Sequence, residues 1–248
     1  MRYITLLATA VAALAALPAA ASHANLVQNG GFETTTLTNS SSFATYFTGT
    51  SKVANWTTNG YNLLFTPGTA QTAGADTEYG KGNVKFYGPL NGTANGFKDS
   101  PTGGNFVAAD GAFGVSPIQQ TLTGLVVGQK YVVGFDWAAA QQLGFSGPTT
   151  EAWQVSLGGE SHSTAVWANP DHGFKPWTHK QFVYTATATS EVLSFLAVGT
   201  PGGRPPFSLL DGVSTAAVPE PASWALMIGG LGLVGGALRT RRRNVVAA

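Results

Sequence analysis

Between residues 25 and 216 no long stretch repeats its apolar side chains at the 3.6-residue period of a helix, whereas short apolar runs bounded by Gly, Pro, Asn and Ser recur throughout. The body of the chain is therefore expected to be made of strands. The clearest run is YVVGFDWA, where Tyr131, Val133, Phe135 and Trp137 fall on one face and Val132, Gly134, Asp136 and Ala138 on the other. Successive strand side chains point to opposite faces, so this segment should bury its bulky side. It follows TLTGLVVGQ, in which Gly124 and Gly128 mark turns on either side of a short apolar segment. AWQVSL, QFVYTATAT, EVLSFLAVGT and PFSLLDGVST read as further strands, the second and third joined near Thr189 and Ser190. Antiparallel strands with Thr-rich and Gly-rich connections, and no helices between them, predict an all-β sandwich rather than an α/β fold. Residues 66–104, dominated by Gly, Thr, Asn and Ala, read as long surface loops around one short strand at 83–87. Loops of that length are often functional or mobile.

With 44% hydrophobic and only 10% charged residues among 248, the chain is too apolar for a disordered protein, and one domain accounts for what lies between its two terminal segments. The net charge of +1 hides an asymmetry: Arg239, Arg241, Arg242 and Arg243 all sit near the C-terminus, which leaves the body mildly acidic. No basic face that would neutralise phosphates is visible, and nucleic acid is not an expected partner. Without cysteine, disulfides, thiolate metal sites and cysteine nucleophiles are excluded.

Residues 1–24, MRYITLLATAVAALAALPAAASHA, have one positive residue (Arg2), an apolar run from 4 to 17, a helix-breaking Pro18 and small residues at Ser22 and Ala24. This is the layout of a signal peptide, and the mature chain is expected to begin at Asn25. At the other end, residues 217–248 contain VPEPASWALMIGGLGLVGGALRTRRR. As a helix, residues 224–238 would extend about 22 Å at 1.5 Å per residue, short of the ~30 Å hydrocarbon core. Gly232 and Gly236 make a GxxxG pair suited to close helix contact, and the arginines should stay cytoplasmic, leaving the body on the periplasmic side. Pro219 and Pro221 keep the backbone before this short transmembrane segment extended, the form a protease binds. A permanent tail anchor is the alternative.

Enzymatic signatures are weak. His162, His172 and His179 show no metal-binding spacing, no GxSxG elbow is present, and the glycine pairs lack phosphate-loop context. They read as loop histidines. Asp76 with Glu78 and Glu151 with Glu160 are carboxylate pairs of the kind a glycosidase requires, but sequence sets no distance between them. Asp136, on the small-residue face of its strand, reads as structural. Sugar binding needs exposed flat rings beside polar groups. Trp56, Tyr61, Trp167 and Trp177 fit that description, Trp167 best; Trp137 and Trp153 read as core, and Trp56 and Trp177 also have a core reading.

The opening NLVQNGGFET and closing FSLLDGVST resemble the first and last strands of galactose-binding-like jelly rolls, the β-sandwiches of many carbohydrate-binding modules. The resemblance implies an antiparallel jelly roll over residues 25–216. In such folds an acid in each of these segments often helps to hold a structural calcium ion, and the matching positions are Glu33 and Asp211. Asp211 falls in the alternation with Phe207, Leu209 and Val213, so bonding to backbone amides is an alternative role for it. The tail resembles a PEP-CTERM sorting signal of the PEPxxWA variant, carried by Pro219, Glu220, Pro221, Trp224, Ala225 and the cluster Arg241, Arg242 and Arg243. That resemblance implies a Gram-negative host, an exosortase as processing partner and transient anchoring in the inner membrane. Together these readings give an exported, non-enzymatic protein of the cell surface or extracellular matrix, associated with exopolysaccharide or another glycan. A purely structural or adhesive matrix protein and a secreted glycoside hydrolase are the alternatives.

Overall fold

The computed structural model describes residues 24–45, 50–77, 83–219 and 228–235. Residues 24–218 form one compact unit. Of the unit made of residues 1–23 and 219–248, only Pro219 and the helical residues 228–235 are described. The expected signal peptide, apart from Ala24, lies outside the described residues, as do Glu220, Pro221, Trp224, Ala225, Arg241, Arg242 and Arg243. Among the described residues no helix is long and apolar enough to cross a membrane.

Thirteen described strands, numbered in chain order, form two sheets. Across the larger sheet run β11 (Phe174–Thr185), β7 (Lys130–Gln141), β13 (Pro206–Ala217), β5 (Phe106–Asp110), β2 (Asn62–Phe65), β1 (Ser41–Ser42), β3 (Ala75–Asp76) and β4 (Asn83–Val84). The smaller runs β10 (Trp167–Asn169), β8 (Thr149–Leu157), β12 (Ser190–Thr200), β6 (Ile118–Thr123), with β9 (Glu160–Ser163) also paired to β8. Only β1 and β3 pair in parallel. The expected β-sandwich is present, and the five runs singled out in the sequence fall in β7, β8, β11, β12 and β13.

Alternation along these strands fills the space between the sheets. Tyr131, Val133, Phe135 and Trp137 of β7 meet Trp153, Val155 and Leu157 of β8 and Leu193, Phe195 and Ala197 of β12 in one cluster. The opposite face of the larger sheet carries a second buried cluster. There Ala138 and Ala140 of β7, Ala108 of β5 and Leu209 of β13 are covered by Ala70, Ala75, Val84, Phe86 and Phe97. The described residues 66–77 and 83–104 thus include a packed layer rather than surface loops alone, and the strand expected at 83–87 shortens to Asn83–Val84. Small side chains on the sheet let this backbone lie close enough to insert its phenylalanines.

Two further expectations change. The opening segment is not a ladder strand: Asn29 and Phe32 have φ of 53° and 59°, and they turn the chain where a strand would continue. It still lies along β13, because the Leu26 amide donates to Thr215 Oγ1 (3.0 Å), the Val213 amide to Gly30 O (3.0 Å) and the Thr215 amide to Asn25 Oδ1 (2.9 Å). In β13, Gly212 at φ 60° accompanies a register shift between Asp211 and Ser214. Phe207 and Leu209 therefore join the outer cluster while Val213 joins the inner one, which separates residues that simple alternation groups together.

Phe86 tests the second layer. It is fully buried, with ring centroids 5.0 Å from Phe65, 5.2 Å from Phe207 and 5.9 Å from Phe97. Phe86→Ala should cost about 3–5 kcal/mol in urea unfolding. A change within about 0.5 kcal/mol, the usual result at a surface position, would return residues 66–104 to the status of loops.

Candidate functional site

Beside the end of β5 the chain makes a cavity of about 440 Å³, lined among others by Tyr61, Asp110, Phe113, Gln142, Phe145 and Asn83. Tyr61 immediately precedes β2, and its amide donates to Gly114 O at 2.8 Å. Its ring meets Phe113 edge-on at 5.3 Å and leans on Phe207 at 6.4 Å. Phe113 remains 52% exposed, so an aromatic edge stands at the surface of the cavity. Asp110 ends β5 and is 3% exposed. One oxygen, Oδ1, accepts the amides of Ala112 (2.8 Å) and Phe113 (3.1 Å). Burial pushes the Asp110 carboxyl up to about 6, against the downward pull of those two amides. Burial and the Asp110 charge also raise the Tyr61 phenol, while a hydrogen bond with Thr77 lowers it.

The site depends on a close backbone approach. A Cβ at Gly111 would run into the backbone of Val198 and Gly199. Gly111 instead donates to Pro206 O and accepts from the Gly199 amide, both at 3.0 Å, which links β12 of one sheet to β13 of the other. The resulting bend carries Ala112 and Phe113 around the Asp110 carboxylate. Sequence reasoning found Tyr61 but missed Asp110, Phe113 and Phe145. The legible signal was DGAFG, a carboxylate followed by turn-forming residues and an aromatic.

The other aromatic candidates are dispersed. Trp56 is only 1% exposed, packed against Phe32 at 5.3 Å, with its Nε1 donating to Asn29 O at 2.9 Å. It borders an open groove of about 670 Å³ beside β6, also lined by Gln28, Asn55 and Gln119, but presents no ring face there. Of its two readings, surface platform and core, Trp56 takes the core one. Trp167 is half-buried and stacks on Trp137 at 3.6 Å and 16°, so one of its faces is already covered. Trp177, also half-buried, meets Phe106 edge-on at 5.7 Å and donates from Nε1 to Lys98 O at 3.0 Å, holding the outer layer to the sheet.

Glu33 and Asp211 do converge. Both carboxylates approach within 4 Å of where a Gly31 Cβ would lie, with Asp211 Oδ1 at 3.7 Å and Glu33 Oε1 at 3.9 Å. Asp211 is fully buried and accepts from the Ser100 and Thr102 hydroxyls and, at 2.7 Å, from its neighbour's Gly212 amide. Glu33 accepts from the Asn105 amide at 2.7 Å. Burial pushes the Asp211 carboxyl to about 6; the hydroxyl and amide donors oppose this, and Glu33 adds to it. An all-oxygen surround and a like-charged neighbour suit a hard cation such as calcium. The amide and hydroxyl bonds also serve these carboxylates directly. Among the described residues no three His, Cys, Asp or Glu side chains gather as a metal site.

Of the carboxylate pairs considered for hydrolysis, Glu151 and Glu160 are far apart. Glu160 pairs with Leu157, six residues along β8 from Glu151, a strand separation of about 20 Å. A glycosidase pair needs roughly 5–10 Å. Glu78, the partner considered for Asp76, lies outside the described residues. His162 and His179 lie in β9 and β11 rather than loops; His162 bonds Glu160 Oε1 and His179 bonds Asp136 Oδ1, each at 2.9 Å. His172 does sit in a turn, at φ 54°.

Residues 217–243 match the PEP-CTERM protein-sorting motif, which marks export and sorting to the cell surface or extracellular space. The motif leaves the sandwich itself unassigned. No curated protein sequence matches the chain. Among solved structures the chain is similar to the carbohydrate-binding module TmCBM61 in complex with beta-1,4-galactotriose, at 18% identity and TM-score 0.40, covering 79% of this chain and 99% of that one. A CBM4 structure is similar at 14% identity and TM-score 0.33, covering 77% and 99%. The enzymatically active domain of bacteriophage CBA120 tailspike protein 4 is similar at 13% identity and TM-score 0.38, covering 78% of this chain but 21% of the tailspike chain. Overlaps this loose transfer no function.

The raised Asp110 carboxyl gives a pH signature. A carboxyl raised in the folded state contributes stability fully present below its ordinary value of 3.8 and lost as pH rises through about 6. Relative to Asp110→Asn, the protein should lose about 2–3 kcal/mol between pH 4 and pH 7, at about 1.4 kcal/mol per unit. Urea titrations at both pH values measure this, and parallel pH dependence in the two proteins would refute it.

Proposed function

We propose that this chain is an exported, non-enzymatic surface or matrix protein whose sandwich binds glycan in the cavity between Tyr61 and Asp110. The observation that carries the reading is the pairing of an aromatic edge with a buried carboxylate in one concavity. Pyranoses present apolar C–H faces to rings and hydroxyls to fixed acceptors, and about 440 Å³ falls within the ordinary range for small-ligand pockets. Phe113 and Tyr61 supply the apolar surface. Asp110 retains Oδ2, while Gln142 and Asn83 add amides that both donate and accept. Trp167 and Trp177 lie elsewhere, and each could form a secondary contact only through the face its own packing leaves open. Exopolysaccharide is the glycan class that fits a protein carrying this sorting motif.

The same proposal has an exosortase cut the tail after transient anchoring in the inner membrane through the short apolar segment, with the arginines cytoplasmic. Glu33 and Asp211 are assigned to a structural calcium ion, which would bind only the folded state and stabilise it by mass action. The ion would neutralise two acids at the seam where the opening segment meets β13.

Two experiments test this reading. On polysaccharide affinity gels the full chain should be retained, and Phe113→Ala, at an exposed position, should bind about tenfold more weakly, equivalent to the loss of one ring contact. No retention on any neutral or acidic polymer would favour the purely structural matrix protein, and new reducing ends would favour the hydrolase. Intact mass of the mature protein from cells with and without the exosortase tests processing. A tail retained in both would make the anchor permanent.

A further inference from the structure

The paired strands β8 and β10 carry an arrangement that neither the cavity nor the sorting motif uses. Thr149 lies directly opposite Asn169, and Glu151 directly opposite Trp167. Residues two apart on a strand share a face, so these four side chains occupy the corners of one patch, about 5 Å across the strands and about 7 Å along them. Its three oxygen-bearing members are nearly inaccessible: Thr149 is 2% exposed, Asn169 1% and Glu151 0%. Neither Glu151 carboxylate oxygen, nor Thr149 Oγ1, nor Asn169 Oδ1 makes a well-formed hydrogen bond, and the donor beside the carboxylate is the Thr149 hydroxyl. The Asn169 amide nitrogen, by contrast, is occupied, donating to Gly173 O at 3.2 Å.

Four buried oxygens in one patch, with the Thr149 hydroxyl as the donor among them, require an explanation. Buried acceptors without donors cost about 1–3 kcal/mol each, and a buried carboxylate costs more unless it is paired or bound to a metal. Burial pushes Glu151 up to about 7; a hydrogen bond from the Thr149 hydroxyl and the charge of Lys175, half-exposed on β11, only partly oppose this. Protonation of Glu151 would add one donor among several acceptors, and water would leave the ionised carboxylate with Lys175 as its compensating charge. A cation answers both demands. Carboxylate, amide carbonyl and hydroxyl oxygens with no nitrogen or sulfur form a donor set for a hard ion, and calcium takes such ligands at 2.3–2.6 Å.

We propose that Glu151, Thr149 and Asn169 form an interior site for a hard divalent cation of the calcium class. The ion joins the edge strand β10 to β8 through side chains, where the ladder between them is only three residues long. It also lies beside the stacked Trp167 and Trp137, which holds that end of the sandwich closed. This site is separate from the Glu33 and Asp211 seam, because it involves other strands and a different set of ligands.

Terbium, a luminescent substitute for calcium excited through nearby tryptophan, reads the site, since Trp167 faces Glu151 across the strand pair. The measurement uses the full chain carrying Asp211→Asn, which disables the seam. Tryptophan-sensitised terbium emission should persist in this background and be displaced by calcium, and adding Glu151→Gln should reduce it at least tenfold. Thr149→Val, which keeps the side-chain shape and removes one ligand, should weaken terbium affinity about tenfold. The near-ultraviolet circular dichroism of the tryptophan pair reports that each variant is folded. If Glu151→Gln does not fold, the Thr149→Val titration decides. No emission in the Asp211→Asn chain, or emission unchanged by the folded variants, would overturn the site.

Discussion

The architecture rests on a strand whose two faces are both buried but filled in opposite ways. On β7 the inward face holds Tyr131, Val133, Phe135 and Trp137, while the outward face holds Gly134, Asp136, Ala138 and Ala140. The bulky face drives the two sheets together. The small face allows a second layer of chain to approach closely, and Phe65, Phe86, Phe97, Phe106 and Phe207 then fill the space that the alanines leave. Each such ring removes some 150–250 Å² from water, so the outer layer belongs to the core in energy as well as position. The candidate cavity depends on this second layer, because Tyr61 leans on Phe207 and the cavity wall includes Val84.

A sandwich with only 10% charged residues has few acids, yet four of those described are buried, three of them at special points of the strands. Asp110 ends β5 where the chain turns into the cavity, Asp211 precedes the register shift in β13, and Glu151 faces the short edge strand β10. In each case burial raises the carboxyl. Their surroundings differ, and the differences point to different roles. Asp110 keeps one oxygen clear of its amide bonds, Asp211 is bonded at both oxygens, and Glu151 has only the Thr149 hydroxyl beside it as a donor. An acid with a spare acceptor beside a cavity suits a ligand hydroxyl, whereas an enclosed acid short of donors suits an ion.

The strands were legible because bulky and small residues alternate over long stretches in β7, β8 and β12. Failures of the sequence reading came where structure depends on something other than alternation. In residues 66–104 the buried side chains are separated by turns, so Phe86 and Phe97 show no period even though both are core. The opening segment contains apolar Val27 and Phe32, but positive φ at Asn29 and Phe32 replaces the ladder with side-chain bonds from Asn25 and Thr215. The polarity of its sequence neighbours leaves Trp56 with both an exposed and a core reading, because what buries it is tertiary contact with Phe32 and Phe195. Asp110 was overlooked because its significance comes from Phe113 and Tyr61, one close in sequence and one distant.

The boundary between body and tail also carries mechanical meaning. The ladder of β13 ends at Ala217, and Val218 closes it by donating its amide to Lys130 O at 2.8 Å and accepting from Gln129 Nε2 at 2.6 Å. The next residue is Pro219, which has no amide hydrogen to continue a ladder. The described hydrogen bonds that fasten the last strand of the body are thus made by residues before the PEP triplet, so the ladder closes on the body's own Gln129, Lys130 and Val218.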